Sequence, residues 1–238
     1  MSGISWSKDG VSIKVPYSYP GVSTFIHFSC ADRQLMIDCG DGASSYLYDI
    51  CGRERNCYEK LSAILITHNH LDHIGGMPAL LNLMEVSGRI SPMAVVVPGG
   101  KNSFLRKLLR PQLGKLHFKL EFIDSIKKRV ISIGSVRCRP FRTRHRDSFP
   151  WERCGKTVAS TGYAISYNSL RLVFSGDTGP CPALRKACMG TDLAVLESTW
   201  DTPVDCPGLH LTVEEASSIG SLAKEYILIH PIRERISH

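Results

Sequence analysis

The chain has 238 residues, enough for one large buried core and too few for two independent domains of ordinary size. Its 43% hydrophobic and 21% charged residues exclude a disordered or fibrous protein, and no apolar stretch approaches the ~20 residues needed to cross a bilayer. With 29 Lys and Arg against 22 Asp and Glu, the formal charge of +7 favours an anionic partner without naming one.

The opening MSGISWSKD lacks the apolar core of a signal peptide, so no membrane association and a cytoplasmic location are expected. Nine cysteines, an odd number scattered from Cys30 to Cys206 without a C-x-x-C pair, read mostly as buried or idle thiols and not as a disulfide framework.

In chain order, β-branched and aromatic runs predict strands at 24–28, 35–38, 63–67 and 94–97. Helical patterns occupy 77–86, after the Gly75-Gly76 turn, and 104–109. Further strands are predicted at 120–123, 130–133, 163–167, 170–174, 193–196 and 227–229, with an alternating run from Val136 to Arg144. Helices are expected at 182–188 and 213–224, the second capped by Thr212 with Glu215 three residues on. Hairpin-rich strands alternating with helices point to an α/β fold of two sheets with helices outside. No repeat or linker divides it, so one domain over 1–238 is expected.

The strand at 63–67 runs into His68-Asn69-His70-Leu71-Asp72-His73, so four potential metal ligands leave one strand end. Alternation sends His68 and His70 to one side, and the following turn can send Asp72 and His73 to the other, letting two cations share one peptide. Three of the nine histidines fall within these six residues, which an ordinary surface loop does not explain. Imidazole and carboxylate donors suit two zinc ions, with manganese or iron as alternatives. Completing two coordination shells needs donors from elsewhere, and the sequence offers His145, Asp177 and His230 at strand ends. Asp177 takes the natural bridging position.

The order His-x-His-x-Asp-His, a lone His, Ser-Gly-Asp-Thr and a late His resembles the metallo-β-lactamase superfamily, and within it the ribonuclease Z branch of tRNA 3′-processing endonucleases. The passages that carry the likeness are Ile37-Asp38-Cys39-Gly40-Asp41-Gly42, His70-Leu71-Asp72-His73-Ile74-Gly75-Gly76-Met77-Pro78, Ser175-Gly176-Asp177-Thr178-Gly179-Pro180-Cys181, and Leu196-Glu197-Ser198-Thr199 with His210-Leu211-Thr212. The resemblance implies an αββα sandwich of two mixed β-sheets with helices on the outer faces. It implies that His68, His70 and His145 hold one zinc, that Asp72, His73 and His230 hold the other, and that Asp177 bridges them. It also implies that Glu197 and His210 interact beside the leaving group, and that the chain forms a homodimer. The interval from His145 to Asp177 has no room for the long arm with which ribonuclease Z grips tRNA.

Two cations would lower the pKa of water and screen a phosphodiester's charge. His210 could protonate the departing oxygen with Glu197 orienting its ring, and Asp72 could share the proton work, so Asp72, Glu197 and His210 are the candidate catalytic residues. Asp38 reads either as a brace for the ligand loop or as a strand-end turn residue. Arg137, Arg139, Arg142, Arg144 and Arg146 present either a guanidinium row to phosphates or a solvated strand face. Lys101, Arg106, Lys107, Arg110 and Lys115 flank Phe104, Leu105, Leu108 and Leu109 as in an amphipathic helix, and Phe149 and Trp151 read as loop anchors. The function expected is a phosphodiesterase acting on RNA, cutting near the 3′ end of a tRNA precursor. The alternative is a small-molecule phosphodiesterase for a cyclic nucleotide or cyclic phosphate, followed by a lactonase or β-lactamase and a non-catalytic RNA-binding protein.

Overall fold

The computed structural model describes every residue except 1–2, 32, 148–153, 203–205, 207 and 233–238. Seven strands form a first sheet in sequence order: β1 (Ile4–Lys8), β2 (Val11–Tyr19), β3 (Ser23–Ser29), β4 (Gln34–Ile37), β5 (Leu61–Leu65), β6 (Met93–Val97) and β7 (Leu120–Asp124). The first four run antiparallel as a meander, and β4 to β7 are parallel. Parallel strands need crossovers, and these supply the helices that cover the sheet's outer face. They are α1 (Ala43–Cys51), α2 (Arg55–Lys60), α3 (Leu71–Ile74), α4 (Met77–Val86), α5 (Phe104–Leu108) and α6 (Arg110–Leu113). Leu47 and Cys51 of α1 and Leu80, Leu81 and Met84 of α4 pack with Met36, Ile64 and Val95 of the strands.

The second sheet has the spatial order β15 (Glu225–Ile229), β14 (Leu193–Glu197), β13 (Leu170–Phe174), β12 (Thr161–Tyr167), β9 (Val136–Arg142) and β8 (Ile131–Ile133). Its β8–β9–β12–β13 part is antiparallel and its β13–β14–β15 part parallel. A separate pair, β10 (His145–Arg146) with β11 (Thr157–Val158), lies between β9 and β12 in sequence. Helices α7 (Pro182–Cys188) and α8 (Val213–Gly220) place Leu184, Cys188, Ala216 and Ile219 against Val173, Ala194 and Leu196 on the outer face. The inner faces meet through Ile13, Phe28, Leu35, Leu65, Cys138, Tyr163, Phe174 and Val195, each such side chain contributing roughly 1.5–3 kcal/mol by leaving water. The result is the expected αββα sandwich of two mixed sheets.

The capping box of α8 forms as expected, with Thr212 Oγ1 accepting from the Glu215 amide at 3.1 Å and Glu215 Oε2 accepting from the Thr212 amide at 2.9 Å. The helix stops at Gly220 and not at 224, the chain passing into tighter turns in which the amides of Leu222 and Ala223 donate to the carbonyls of Ile219 and Gly220, and Gly220 itself lies against the Tyr226 ring, where a Cβ would come within 2.6 Å. The cysteine reading needs correction: Cys51 pairs with Cys57 and Cys154 with Cys206 as disulfides, leaving five free. Spacing alone does not show such proximity. Among the described residues no helix is long and apolar enough to cross a membrane.

One feature of this topology positions chemistry. The parallel strands β4, β5, β13, β14 and β15 end next to Asp38, His68, Asp177, Glu197 and His230, so polar side chains of distant origin gather along one edge of the sandwich. Open α/β sheets place their ligand crevices at such carboxyl ends.

Candidate metal centre

His68 lies three residues beyond β5 and is fully buried. Potential donor atoms of His68, His70 and His145 come within 4.8 Å of one another, as do those of Asp72, His73 and His230, and those of His68, His73 and Asp177. Asp177 lies between the two trios. Its Oδ1 is 3.3 Å from His73 Nε2, and its Oδ2 is 3.3 Å from His230 Nε2 and 3.9 Å from His68 Nε2. All seven residues singled out as ligands are therefore brought together, and His210 joins them through a fourth grouping with His145 and Asp177.

The Nε2 atoms of His68, His73 and His230 are buried without a hydrogen-bond partner. A buried polar atom left unpaired costs about 1–3 kcal/mol, and three in one place, facing one carboxylate, form a donor set that divalent cations would satisfy. Electrostatics agree. Burial, with His73 and His145 nearby, holds His68 well below the usual imidazole range and keeps its lone pair free. Burial likewise takes His145 down to about 4. Burial also pulls His73 down, but Asp177 and Asp38 outweigh it and hold that ring well above its ordinary value. Burial pushes Asp177 up, yet His230 and His73 prevail and keep it well below the carboxylate range. The pocket thus favours positive charge between these groups.

Each ring is aimed by its other nitrogen. His73 Nδ1–H donates to Asp38 Oδ2 at 2.8 Å, and Asp38 Oδ1 accepts from the Thr67 amide at 2.7 Å, so Asp38 braces the ligand loop. Thr67 Oγ1 donates to Asp38 and accepts from His68 Nδ1–H at 3.1 Å. His145 Nδ1–H donates to the Leu209 carbonyl at 2.7 Å, and His230 Nδ1 shares a hydrogen bond with Thr24 Oγ1 at 2.8 Å. His70 is oriented the other way: its Nε2–H donates to Asp147 Oδ1 at 2.7 Å, and its Nδ1 lies 3.2 Å from His145 Nε2. Such outer hydrogen bonds fix tautomer and ring direction at metal sites. Sequence reasoning missed Asp147, Thr24 and Leu209. Asp147 had a signal, since it lies two residues beyond His145.

Backbone geometry serves the same end. Asp38 and His230 have positive φ, 59° and 65°, a conformation that side chains other than glycine seldom adopt. Gly40 and Gly76 let the loop after β4 cross the start of α4, for a Cβ on Gly76 would lie 2.0 Å from the Gly40 carbonyl oxygen. Gly21 N–H donates to Asp72 Oδ2 at 2.8 Å, fixing that carboxylate.

Beside the cluster, Glu197 is almost fully buried and accepts from the amides of Thr178, Thr199 and Leu211, from Thr199 Oγ1, and from His210 Nδ1–H at 3.0 Å. Burial lowers His210, but Glu197 more than compensates and lifts it to about 9. The ring sits at the cluster's edge, with Nδ1 3.8 Å from Asp177 Oδ2. An imidazolium beside a metal-fitting pocket is suited to giving up a proton there.

The arginine row divides. Arg137 and Arg139 are exposed on one face of β9, Phe141 takes the next position, and Arg142 and Arg144 are exposed where the chain turns toward His145. Of the expected apolar face, Leu105 and Leu109 are buried but Phe104 and Leu108 are exposed, alongside exposed Lys101, Arg106, Lys107, Arg110 and Lys115, so the amphipathic arrangement holds only in part. Phe149 and Trp151 lie outside the described residues.

Comparison with known proteins places these observations. The family model of the Beta-lactamase superfamily domain matches residues 33–230. Over 237 residues the chain is 24% identical to a ribonuclease Z of Metallosphaera sedula, covering 82% of this chain and 78% of that one. Its fold resembles the metallo-beta-lactamase fold protein YhfI from Bacillus subtilis, with a TM-score of 0.75 at 20% identity over 96% of this chain and 89% of that one. It also resembles the short form of human tRNase Z, with a TM-score of 0.66 at 19% identity over 92% and 90%.

Proposed function

Since the chain belongs to the beta-lactamase superfamily, we propose that it is a metal-dependent phosphodiester hydrolase of the ribonuclease Z kind, one domain over 1–238 that cuts RNA near the 3′ end of a tRNA precursor. In this reading His68 Nε2, His70 Nδ1 and His145 Nε2 would hold one zinc, Asp72, His73 Nε2 and His230 Nε2 would hold a second, and Asp177, between the two trios, would serve both. Manganese and iron accept the same donors. When bound, such ions supply charge neutralisation at the phosphodiester and make water a stronger acid.

The remaining work falls to the chain's own groups. Asp72, its Oδ2 fixed by the Gly21 amide and 3.7 Å from His73 Nε2, would share the proton work by accepting a proton from the attacking water. His210, with Nδ1 committed to Glu197, offers Nε2 to the departing oxygen and gives it a proton. Glu197 keeps the ring charged and aimed, its own oxygens fixed by backbone amides.

The observation that carries this reading is the Glu197–His210 pair at 3.0 Å, set against Asp177. Departure of a ribose oxygen needs a proton donor, and the pair supplies one at the edge of the donor cluster. The ribonuclease Z name of the Metallosphaera sedula relative supports an RNA substrate. The proposal includes a homodimer in the cytoplasm, the dimer supported by exposed Tyr48 and Val86, which face one groove between α1 and α4.

The test is hydrolysis of a 3′-extended precursor tRNA by metal-loaded protein, with bis(p-nitrophenyl) phosphate and a cyclic nucleotide in parallel and Asp177→Ala as control. Endonucleolytic release of the 3′ trailer, absent in the variant, is expected. Turnover of the small diesters alone would favour the second reading, a small-molecule phosphodiesterase. One observation favours that reading: between His145 and Asp177 the described residues form only β10–β13 and their turns, with no gripping arm.

A further inference from the structure

Away from the metal-fitting cluster, a groove of about 600 Å³ lies on the outer face of the second sheet, beside α7. Arg137 and Arg139 of β9, Arg171 of β13 and Lys186 of α7 line it, and no carboxylate does. Register explains the convergence: Ser166 of β12 pairs with Arg137 on one side and Arg171 on the other, so the two guanidinium stems flank one small residue. Arg137, Arg139 and Lys186 are exposed and have no acidic partner among the described residues, while Arg171 donates to the Gly190 carbonyl. Like charges gathered across neighbouring strands oppose folding, and nothing within the groove neutralises them.

Its apolar part is shaped as well as its charge. The Phe141 ring lies across Gly162, where a Cβ would meet its Cζ at 2.3 Å, leaving a flat aromatic surface beside Ala164 and Met189. Cations above an aromatic floor are the elements with which proteins hold single-stranded or frayed nucleic acid. The strand carrying two of these arginines continues to the metal centre. From Arg139 to His145 is six residues, roughly 20 Å at ~3.3 Å per residue, and exposed Arg142 and Arg144 lie along the way.

We infer that this groove is a second RNA-binding site, one that grips the phosphate backbone of the substrate away from the cleaved bond and does the work of the missing arm. The inference rests on the RNA reading of the metal centre. Charge complementarity selects the occupant: four cations, no acid and an aromatic floor match a polyphosphate carrying bases.

The test uses Arg137→Gln/Arg139→Gln/Lys186→Gln, with Lys186→Gln alone as a milder variant, in the full chain. Binding of 3′-extended precursor tRNA is measured as a function of salt, alongside turnover of bis(p-nitrophenyl) phosphate and thermal stability. The triple variant is expected to lose roughly tenfold or more in RNA affinity, with the slope of log K against log salt falling by about 3 and the single variant by about 1. Small-diester turnover and melting temperature stay as in the parent. Unchanged RNA affinity and slope in a folded triple variant would overturn the inference, leaving the groove to an acidic protein or a small anion. Failure of the RNA reading looks different: the parent would bind the precursor with groove-dependent affinity and never cut it.

Discussion

Asp147 and His70, 77 residues apart in sequence, meet at 2.7 Å between carboxylate oxygen and ring Nε2, and this contact turns His70 Nδ1 toward His145. The other four imidazoles of the cluster offer Nε2 inward, so His70 alone depends on an outward Nε2–H for its direction. Asp147→Ala should weaken metal binding by about 10–100-fold, the usual effect of losing such a partner. Competition with a chromophoric chelator measures it. Binding as tight as in the parent would mean that the ring is held by packing alone.

Substrate chemistry gives a sharper test of His210. A nitrophenolate leaves without help, whereas a ribose oxygen must be protonated as it departs. His210→Ala should therefore slow RNA cleavage by about 10²–10⁴-fold and bis(p-nitrophenyl) phosphate turnover far less. Glu197→Gln, which removes the charge holding the His210 ring, should show the same selectivity in weaker form. Equal losses on both substrates would assign His210 to the metal pocket and not to the leaving group.

The crossing of Gly40 and Gly76 has a mechanical test. A methyl at position 76 meets backbone on the opposite loop, which cannot swing aside as a side chain can. Gly76→Ala should cost about 1–3 kcal/mol in denaturant unfolding and reduce bound metal together with stability. A fully stable variant with a full metal complement would show that the two loops can separate without disturbing the ligands.

Removing metal should lower stability, because the folded cluster alone assembles the donors. One ion at a thousandfold over its dissociation constant adds about 4 kcal/mol. At roughly 2–4 °C per kcal/mol for a chain of this size, melting should drop by ~8–16 °C after chelation and recover when zinc is restored. An identical melting curve with and without chelator would contradict the occupancy proposed for the six imidazole and carboxylate positions around Asp177.

Much of this was legible in the sequence, for physical reasons. The ligand loop announced itself because His68, His70, Asp72 and His73 follow a buried parallel strand, and Asp177 and His230 follow others. The central parallel strands β6 and β14 were easy to place, being almost wholly buried and apolar at nearly every position. The exposed β1 was not read, since Ile4-Ser5-Trp6-Ser7-Lys8 is polar at most positions and belongs to the sheet through pairing with β2. Helix α1 escaped because it buries only Ala43, Leu47 and Cys51, a stripe too narrow to stand out. Contacts such as Thr24 to His230, 206 residues apart, depend on the closed sandwich and leave no local mark.

The two donor trios share the six-residue loop from His68 to His73, while His145, Asp177 and His230 come from the half of the chain that builds the second sheet. One short peptide thus sets the spacing of both trios, and the opposite sheet completes both. A slip between the sheets would dismantle the trios together, because neither has its full complement on one side of the sandwich. Loading should accordingly be cooperative: seating one cation pins the sheets in the register that the other requires.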